Sequence, residues 1–499
     1  RKESSAASDV YKRQDSHNAL NNILAAKGYT VENTDGRMTA DGDVALTYKW
    51  TNAALDSTTF ATSENGTAIT NLFDEADPNK SSSEPGEVTW LSRSNWVATF
   101  PTQPVVLNAT QTLADHLAFT RYDGSKADSV EMPTLGADNG LALVSMIGAD
   151  YDDPQWDTLL DQLTFNEMVN TITLGFHNTA AVESIGKTRT KDENGPQGLT
   201  AALTGGASAM CYTSEDVMAA TFNVDLINDV GRCIGEDCLA MGYSGLYGPG
   251  INMHRTAYSG RNFEYYASDP FVAGTICAAE VNGIQSKGVY VYLKHVALND
   301  SESSRRGVNT WLNEQAAREI YLEVADKAIT DGGAWSVMSG FNRWGATWCG
   351  AYDNLLTGFL RGELGMRGMI ITDYSGSSKY MDLADGLIAG SDIWDSPDPT
   401  IHTTLAPKYE NDAYIVTEMR ESMHKILYTV ANSNAMNGWS SADRLKVITP
   451  WWKTALYALD TVLAVLTVLC IWRLVVAIKR KKTWTAEQAA NTASAQNQQ

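Results

Sequence analysis

Short apolar runs alternate with longer helical stretches from about residue 154 to about residue 432. Alternation of this kind predicts parallel strands joined by right-handed crossovers. The span is close to the roughly 250 residues of an eight-stranded barrel, so we predict a (β/α)8-type, TIM-like α/β barrel over residues 153–435. A doubly wound open sheet is the alternative, although no GxGxxG follows the first strand. The runs expected as strands are AMCY (209–212), GLYGPGINM (245–253), VYVYLKH (289–295), AWSVMSGFN (334–342) and MIITD (369–373).

The stretch GMIITDYSG (368–376) is the one around which the other strands are arranged. The run from Met369 to Thr372 is almost wholly apolar, which is typical of a parallel strand covered on both faces. Asp373 follows at once, and the side chain just past such a strand points into the mouth of a barrel. Asp373 is therefore a candidate functional carboxylate, with capping of the next helix as the alternative.

The N-terminal part of the chain lacks the strand–helix alternation of the predicted barrel. Residues 15–152 show little helical periodicity, and the alternation from Asp43 to Tyr48 indicates strands. We therefore expect a β-rich remnant of a domain and a linker that packs on the barrel. Residues 1–14 are polar and begin without Met, so we interpret them as a cloning scar or a disordered segment. We expect the natural N-terminus to lie upstream.

The C-terminal part contains an apolar run at residues 453–478 that is long enough to cross a hydrocarbon core of about 30 Å. Four basic residues follow at Lys479–Lys482, and the positive-inside rule places that end in the cytoplasm and the acidic body outside. We therefore predict one transmembrane helix in the cell membrane. Residues 479–499 are expected to form a basic, disordered cytoplasmic tail.

Composition narrows the possible partners. The net charge of −21 argues against nucleic acid, because phosphate binding requires clustered Lys and Arg. The six Cys and seven His are scattered, without CxxC or HExxH spacing, so we predict no metal and no cofactor.

Polar and charged residues recur where the predicted strands end. Because buried charges are costly unless paired, their convergence at one rim suggests a ligand site, with an internal salt-bridge network as the alternative. An ionised carboxylate beside cations suits a nucleophile that attacks the anomeric carbon of a sugar. Tryptophans in the same loops could stack on pyranose faces, although each alone is more typical of core. The polar set is Arg261, Glu264, Lys294, His295, Ser339, Asn342, Asp373 and Asp392, and the tryptophans are Trp311, Trp344, Trp348 and Trp394.

Six strings in this region resemble the barrel of glycoside hydrolase family 3, the β-glucosidase-like enzymes. They occur in the order and spacing of that family and cover most of the predicted barrel. They are NGPQGL (194–199), GPGINMHR (248–255), GRNFEYYASDP (260–270), KHVALND (294–300), VMSGFN (337–342) and LLTGFLRGELGMRGMIITD (355–373).

The resemblance implies roles for individual residues. Asp373 would be the catalytic nucleophile, and Arg261, Lys294 and His295 would bind hydroxyls of the sugar that is cleaved. Asn194 would also bind substrate, although the family usually has Asp there, and an amide does not accept a hydrogen bond as a charge does. Two further departures are Phe341 for the common Tyr and Tyr374 for the common Trp.

Retaining cleavage needs a second carboxyl group as acid/base. In this family it is usually a Glu from a separate α/β sandwich domain. Some members place that domain and a fibronectin-like domain before the barrel, so the β-rich residues 15–80 could be a remnant of the latter. We therefore expect a missing upstream domain to supply the acid/base Glu, and we name no such residue here.

The expected function is that of a retaining exo-β-glycosidase that releases terminal β-linked glucose from oligosaccharides or glycosides. A β-xylosidase of the same family is the first alternative. A non-catalytic surface protein that binds sugar is the second, because Asn194, Phe341 and the missing acid partner fit a degenerate site.

Overall fold

A computed structural model describes residues 16–47, 58, 61–81, 88–91, 95–102, 111, 121–306, 308–375, 380–443, 445 and 448–497. The chain divides into two compact units, one ending at Thr62 and one beginning at Ser63. Each unit is described by itself.

The described part of the first unit is a helix, Ser16–Ala26, followed by 3-10 turns at Val31–Asn33 and Val44–Leu46. The strand predicted from Asp43 is wrong where it is described. The Asp43 side chain accepts a hydrogen bond from the backbone N–H of Ala45 at 2.9 Å, and such an Asp cap favours a turn. No sheet strand precedes Asp192 among the described residues, although much of the predicted β-rich range lies outside them.

The second unit is built on a five-stranded parallel sheet. The strands of the unit are β1 Asp192–Asn194, β2 Gly245–Gly250, β3 Tyr290–Val296, β4 Asn309–Thr310, β5 Ser336–Ser339, β6 Arg343–Trp344, β7 Thr347–Trp348 and β8 Ile370–Thr372. The strand order of the large sheet is β1-β2-β3-β5-β8. A smaller sheet has the order β4-β6-β7.

The large sheet curls into a half-barrel that neighbouring segments continue at both edges. Beyond β8, Ile371 pairs in parallel with Ile393, and Trp394 N–H donates to the carbonyl of Ile172 at 2.8 Å. At the other edge, Asp192 N–H donates to the carbonyl of His177 at 3.0 Å. Backbone hydrogen bonding therefore continues from β8 through these segments to β1.

Four of the five predicted strands are confirmed, and the first is wrong. AMCY (209–212) forms a loop, in which Tyr212 N–H donates to the carbonyl of Gln197. The first strand is the polar β1 instead. Its Asp192 is buried and accepts hydrogen bonds from Tyr290 Oη at 2.6 Å and Tyr292 Oη at 3.1 Å. A strand whose core-facing residue is a bonded carboxylate carries no apolar pattern to detect.

Helices and turns cover the sheet. The helices Val224–Met241 and Pro270–Gln285 pack closely, because a Cβ on Gly283 would lie 2.2 Å from the Asn228 carbonyl oxygen. The helices of this unit are Trp96–Thr99, Gln155–Leu160, Phe165–Thr173, Glu215–Ala220, Val224–Met241, Pro270–Gln285, Glu314–Ala316, Glu323–Thr330, Leu383–Ala389, Ala413–Ala431 and Trp451–Gln496, with π-helical segments at Ala317–Tyr321, Asn354–Glu363 and Ile401–Leu405.

Part of the range that we expected to be a β-rich remnant belongs to the core of this unit. Phe73 is fully buried, and its ring stacks on Trp344 with centroids 4.2 Å apart. The backbone N–H groups of Leu72 and Phe73 donate to the carboxylate of Glu314. The segment around Phe73 therefore packs as part of the barrel unit.

The final helix, Trp451–Gln496, has 46 residues. Its stretch Trp451–Ser494 has a mean hydropathy of 2.5 in its most apolar window, and none of that window is buried. The helix is long and apolar enough to span a membrane. The disorder predicted for the tail is wrong as far as Gln496, because residues 479–496 continue the helix. Their Lys, Ala, Gln and Arg residues are good helix formers.

Candidate functional site

The five predicted site residues line one cavity at the C-terminal ends of the strands. Lys294 and His295 lie near the end of β3, Asp373 follows β8, Asn194 ends β1 and Arg261 lies in the loop after β2. The cavity has a volume of about 580 Å³. The structure thus brings together side chains that are up to 179 positions apart in the chain, from Asn194 to Asp373.

Asp373 is buried against two nitrogen-bearing side chains. Its Oδ2 lies 3.3 Å from Arg305 Nη1 and 3.6 Å from His295 Nε2, and its Oδ1 accepts the backbone N–H of Tyr374 at 2.7 Å. Burial raises the pKa of Asp373, and the positive charge of Arg305 opposes that rise. Desolvation therefore affects the pKa of this carboxyl more than the cation beside it does.

A second group of charges holds the other side of the cavity. Arg261 donates to Glu264, and Glu264 Oε2 lies 3.6 Å from Lys294 Nζ. Lys294 Nζ also donates to Asn194 Oδ1 at 3.3 Å. Burial lowers the pKa of Lys294, and the Glu264 carboxylate opposes that shift. The network fixes the directions of Arg261 and Lys294 while each keeps further N–H donors.

His295 is held in one tautomer by Asn252. The backbone N–H of His295 donates to Asn252 Oδ1 at 2.9 Å, and Asn252 Nδ2 donates to the backbone carbonyl of His295 at 3.1 Å. These bonds orient the amide, so that Asn252 Oδ1, 3.3 Å from His295 Nδ1, accepts its proton. Burial lowers the pKa of His295 well below its usual range. The neutral ring therefore directs the lone pair of Nε2 toward Asp373 and the cavity.

Five further charged or titratable residues of the cavity were missed, namely His177, Glu302, Arg305, Arg306 and Asp395. Arg305 and Glu302 lie in the loop after β3 and bind each other at 3.1 Å, and Arg305 also packs over the ring of Phe341 at 4.9 Å. His177 lies on the segment beside β1, and Asp395 lies on the segment beside β8. Their sequence signal is weak, because Arg305 sits in a polar loop and His177 and Asp395 follow no strand-like run.

Asp392 does not join the other strand-end residues, and most of the tryptophans have the role that is more typical of them. Asp392 is fully buried away from the cavity, where its Oδ2 pairs with Arg361 Nη2 at 2.6 Å and its Oδ1 lies 3.6 Å from Lys425. For this residue the salt-bridge alternative is correct. Three of the four tryptophans are core residues, and none of the four lines the cavity. The three core residues are Trp344, Trp348 and Trp394. The aromatic residues that do line the cavity are Phe176, Tyr247, Phe341 and Tyr374.

Tyr247 connects His177 and Asp395, the two cavity residues that lie on the segments at the edges of the large sheet. His177 Nδ1 lies 2.8 Å from Glu193 Oε1, and the backbone N–H of His177 donates to Tyr247 Oη at 3.1 Å. Tyr247 Oη in turn donates to Asp395 Oδ1 at 3.4 Å.

Within the described ranges, no cluster of His, Cys, Asp and Glu has an arrangement that would hold a metal ion.

The fold and this cavity define a glycoside-hydrolase-like barrel. Residues 178–401 match the family described as "Glycosyl hydrolase family 3 N terminal domain", and all five predicted site residues lie within them. This part of the chain is therefore family 3-like, and the prediction of a TIM-like barrel is confirmed.

Named relatives are β-glucosidases. The chain is 34% identical over 240 residues to "Beta-glucosidase" of Rhizobium radiobacter, which covers 48% of this chain and 29% of the relative. It is 32% identical over 244 residues to "Thermostable beta-glucosidase B" of Acetivibrio thermocellus, and this match covers 47% of this chain and 32% of the relative. The solved structure of β-glucosidase 3B from Thermotoga neapolitana in complex with glycerol is similar with a TM-score of 0.51 and 27% identity, covering 58% of this chain and 44% of that chain. The chain thus spans less than a third of the length of these curated relatives.

Proposed function

We propose that this chain carries the nucleophile and the sugar-binding site of a retaining exo-β-glycosidase that acts on terminal β-linked glucose. The observation that supports this best is the buried Asp373 carboxyl at the end of β8, with Arg305 and His295 against one of its oxygens. Similarity to β-glucosidases over about half of the chain supports the same reaction class.

In this proposal Asp373 attacks the anomeric carbon as a carboxylate. A bond forms between a carboxylate oxygen and C1, while the bond from C1 to the leaving oxygen breaks and its electron pair leaves with that oxygen. A general acid protonates the leaving oxygen. The same group then takes a proton from the water molecule that hydrolyses the glycosyl-enzyme and frees Asp373.

The remaining groups bind the sugar. Arg261 and Lys294 donate hydrogen bonds to sugar oxygens, and the Nε2 lone pair of His295 accepts one from a hydroxyl. Asn194 Nδ2 adds an amide donor, since its Oδ1 is occupied by Lys294. These directed groups hold one sugar ring with C1 beside the nucleophile, which supplies the proximity that the reaction needs.

We further propose that the acid/base carboxyl, a Glu by resemblance, comes from outside these residues. Glu302 is the one glutamate among the residues that line the described cavity, and it is bound to both Arg261 and Arg305. Asp395 lies next to Asp373 on the same rim, whereas the proton donor must approach the bond from the opposite side to the nucleophile.

The apolar helix supports a membrane-anchored form of this enzyme. We propose that residues 453–478 span the cell membrane, with Lys479–Lys482 in the cytoplasm and the barrel outside. Extracellular glycosides or oligosaccharides would then be the substrates.

Covalent trapping tests the central assignment without the acid/base. The probe is 2,4-dinitrophenyl 2-deoxy-2-fluoro-β-glucoside, because dinitrophenolate leaves without being protonated. We expect one sugar adduct on the peptide that contains Asp373, and none in Asp373→Asn. Asp229→Asn, which removes an exposed carboxylate from a helix surface, is expected to be labelled like the unsubstituted chain.

Two outcomes would contradict the proposal. An adduct on another residue would move the nucleophile elsewhere. If no adduct forms although calorimetry shows that glucose binds, the chain is a non-catalytic sugar-binding protein. Labelling by the matching xyloside but not by the glucoside would identify a β-xylosidase.

A further inference from the structure

Asp395 lies beside Asp373 at the same level of the barrel mouth. Because Ile371 pairs in parallel with Ile393, the residues two positions further on, Asp373 and Asp395, are neighbours on adjacent extended segments. Side chains separated by two positions share a face, and neighbouring strands lie about 4.8 Å apart. The backbone N–H of Ser375 donates to the carbonyl of Asp395 at 3.0 Å, which extends the pairing past both residues. Both carboxyl groups line the cavity.

The carboxyl of Asp395 retains hydrogen-bonding capacity on the cavity side. The residue is only 4% exposed, and the hydroxyl of Tyr247 reaches its Oδ1 at the long distance of 3.4 Å. A carboxylate has about four acceptor sites, and the hydroxyl of Tyr247 takes up one of them. A buried carboxyl with unused acceptor sites costs free energy unless a ligand supplies the missing bonds.

The surrounding charges decide which part of a sugar reaches Asp395. Arg305 and His295 both contact Oδ2 of Asp373, on the β3 and β5 side of β8. Asp395 lies on the opposite side. With C1 beside Asp373, one side of the pyranose is C2 and the other is the ring oxygen with C5. The oxocarbenium-like transition state places positive charge on C1 and the ring oxygen. The Arg305 guanidinium beside that oxygen would oppose this charge, whereas a carboxylate stabilises it.

The ring oxygen therefore faces Asp395, and the hydroxymethyl group on C5 comes next to its carboxyl. We propose that Asp395 is a specificity-determining residue that binds the 6-hydroxyl of a hexopyranose, and so favours a glucoside over a xyloside. A xyloside lacks that group. The inference rests on the proposed function, because it assumes that C1 sits at Asp373.

The test uses two dinitrophenyl 2-deoxy-2-fluoro-β-glycosides, the glucoside and the xyloside, with the full chain at about pH 8, where the Asp395 carboxyl, with its pKa raised to about 7, is mostly ionised. In Asp395→Asn, we expect the second-order rate of labelling at Asp373 to fall about ten- to hundred-fold for the glucoside, as for the loss of a hydrogen bond to a charged group. Labelling by the xyloside should change by less than about threefold. The xyloside result is also the folding control, because a misfolded site would lose both reactions.

A matched control is Asp398→Asn, which removes a carboxyl from the same loop. Asp398 accepts a hydrogen bond from the backbone N–H of Thr400 at 2.9 Å and does not line the described cavity. Both rates should be unchanged. Equal losses for the two probes in Asp395→Asn, or no loss for either, would overturn the inference while labelling at Asp373 in the unsubstituted chain keeps the proposed function. If neither probe labels Asp373 in that chain, both proposals fail.

Discussion

Arg305 Nη1 lies 3.3 Å from Asp373 Oδ2, and this contact joins the loop after β3 to the end of β8. The side chain of Asp373 is 8% exposed and that of Arg305 is 24% exposed. Burial raises the pKa of Asp373, whereas the guanidinium beside it favours the carboxylate. The contact therefore bears directly on the pH range in which Asp373 can act as a nucleophile.

Replacing Arg305 should move that range. Protonated Asp373 cannot attack C1, so the trapping rate falls as the pH drops through its pKa. In Arg305→Gln the opposing charge is gone and the pKa rises further, so the fall should begin at a higher pH. The measurement is the pH dependence of trapping by the dinitrophenyl glucoside. Arg306→Gln removes the same charge from a residue packed over Phe341 at 5.7 Å, and it should shift the profile less. Equal shifts in both variants, or none in Arg305→Gln, would contradict this reading.

Asn252 should matter for both stability and trapping. Asn252→Ala leaves the backbone N–H and carbonyl of His295 without their partners, and each buried unpaired group costs about 1–3 kcal/mol. We expect a melting temperature lower by several degrees, and slower labelling because the His295 ring is free to turn. Asn437→Ala, at an exposed position, serves as the control. An unchanged melting temperature in Asn252→Ala would show that these bonds are replaced by others.

How far the sequence predicts the molecule can be seen strand by strand. β3 and β8 are apolar runs that end in chemistry-bearing residues, so both the strands and the positions of Lys294, His295 and Asp373 at one rim could be predicted. β1 could not, because Asp192 faces the barrel interior with two tyrosine hydroxyls as partners. A hydrophobicity pattern does not reveal a buried polar residue that is stabilised by hydrogen bonds from neighbouring strands.

The missed site residues share a different cause. Arg305 and Asp395 reach the cavity through long-range contacts, Arg305 with a residue 68 positions away and Asp395 with one 148 positions away. Local patterns indicate strand ends, whereas loop residues reach a site only through the tertiary fold. Trp344 and Trp394 fill the core, which is the more typical role that the sequence indicates for each of them alone.

Phe73 tests whether its segment stabilises the barrel unit. The side chain is fully buried and packs on Trp344, so Phe73→Ala should reduce the free energy of unfolding by about 3–5 kcal/mol. Thermal unfolding monitored by circular dichroism in detergent would show the loss. Val97→Ala is the control, because Val97 is 90% exposed. If both variants melt like the unsubstituted chain, the packing of Phe73 contributes little.

The carboxyl of Asp395 should make stability depend on pH. Burial, together with the charge of Asp373, raises the pKa of Asp395 to about 7 against the opposing charge of His177, compared with about 3.9 in an unfolded chain. Between these values the folded state holds a proton that the unfolded state has lost. Stability therefore falls as the pH rises from about 4 to about 7, by up to about 1.4 kcal/mol per pH unit. Asp395→Asn cannot titrate, so its melting temperature relative to the unsubstituted chain should increase over that interval. A difference that is constant with pH would contradict the raised pKa.

Cysteine labelling in intact cells tests the membrane topology. Cys211 and Cys233 are exposed on the barrel unit, so a membrane-impermeant maleimide should label them from outside if the barrel is extracellular.

The reverse side is tested with Ser494→Cys in a chain that carries Cys211→Ser and Cys233→Ser. Ser494 lies on the part of the last helix beyond the basic residues, and its thiol should be labelled only after the cells are permeabilised. Cys470 lies within the apolar stretch, where a charged reagent does not enter because transferring charge into hydrocarbon is costly. If residue 494 is labelled in intact cells while Cys211 and Cys233 are protected until permeabilisation, the orientation is the reverse of the proposed one. If the labelled protein is found only in soluble fractions, the proposed membrane anchor is wrong.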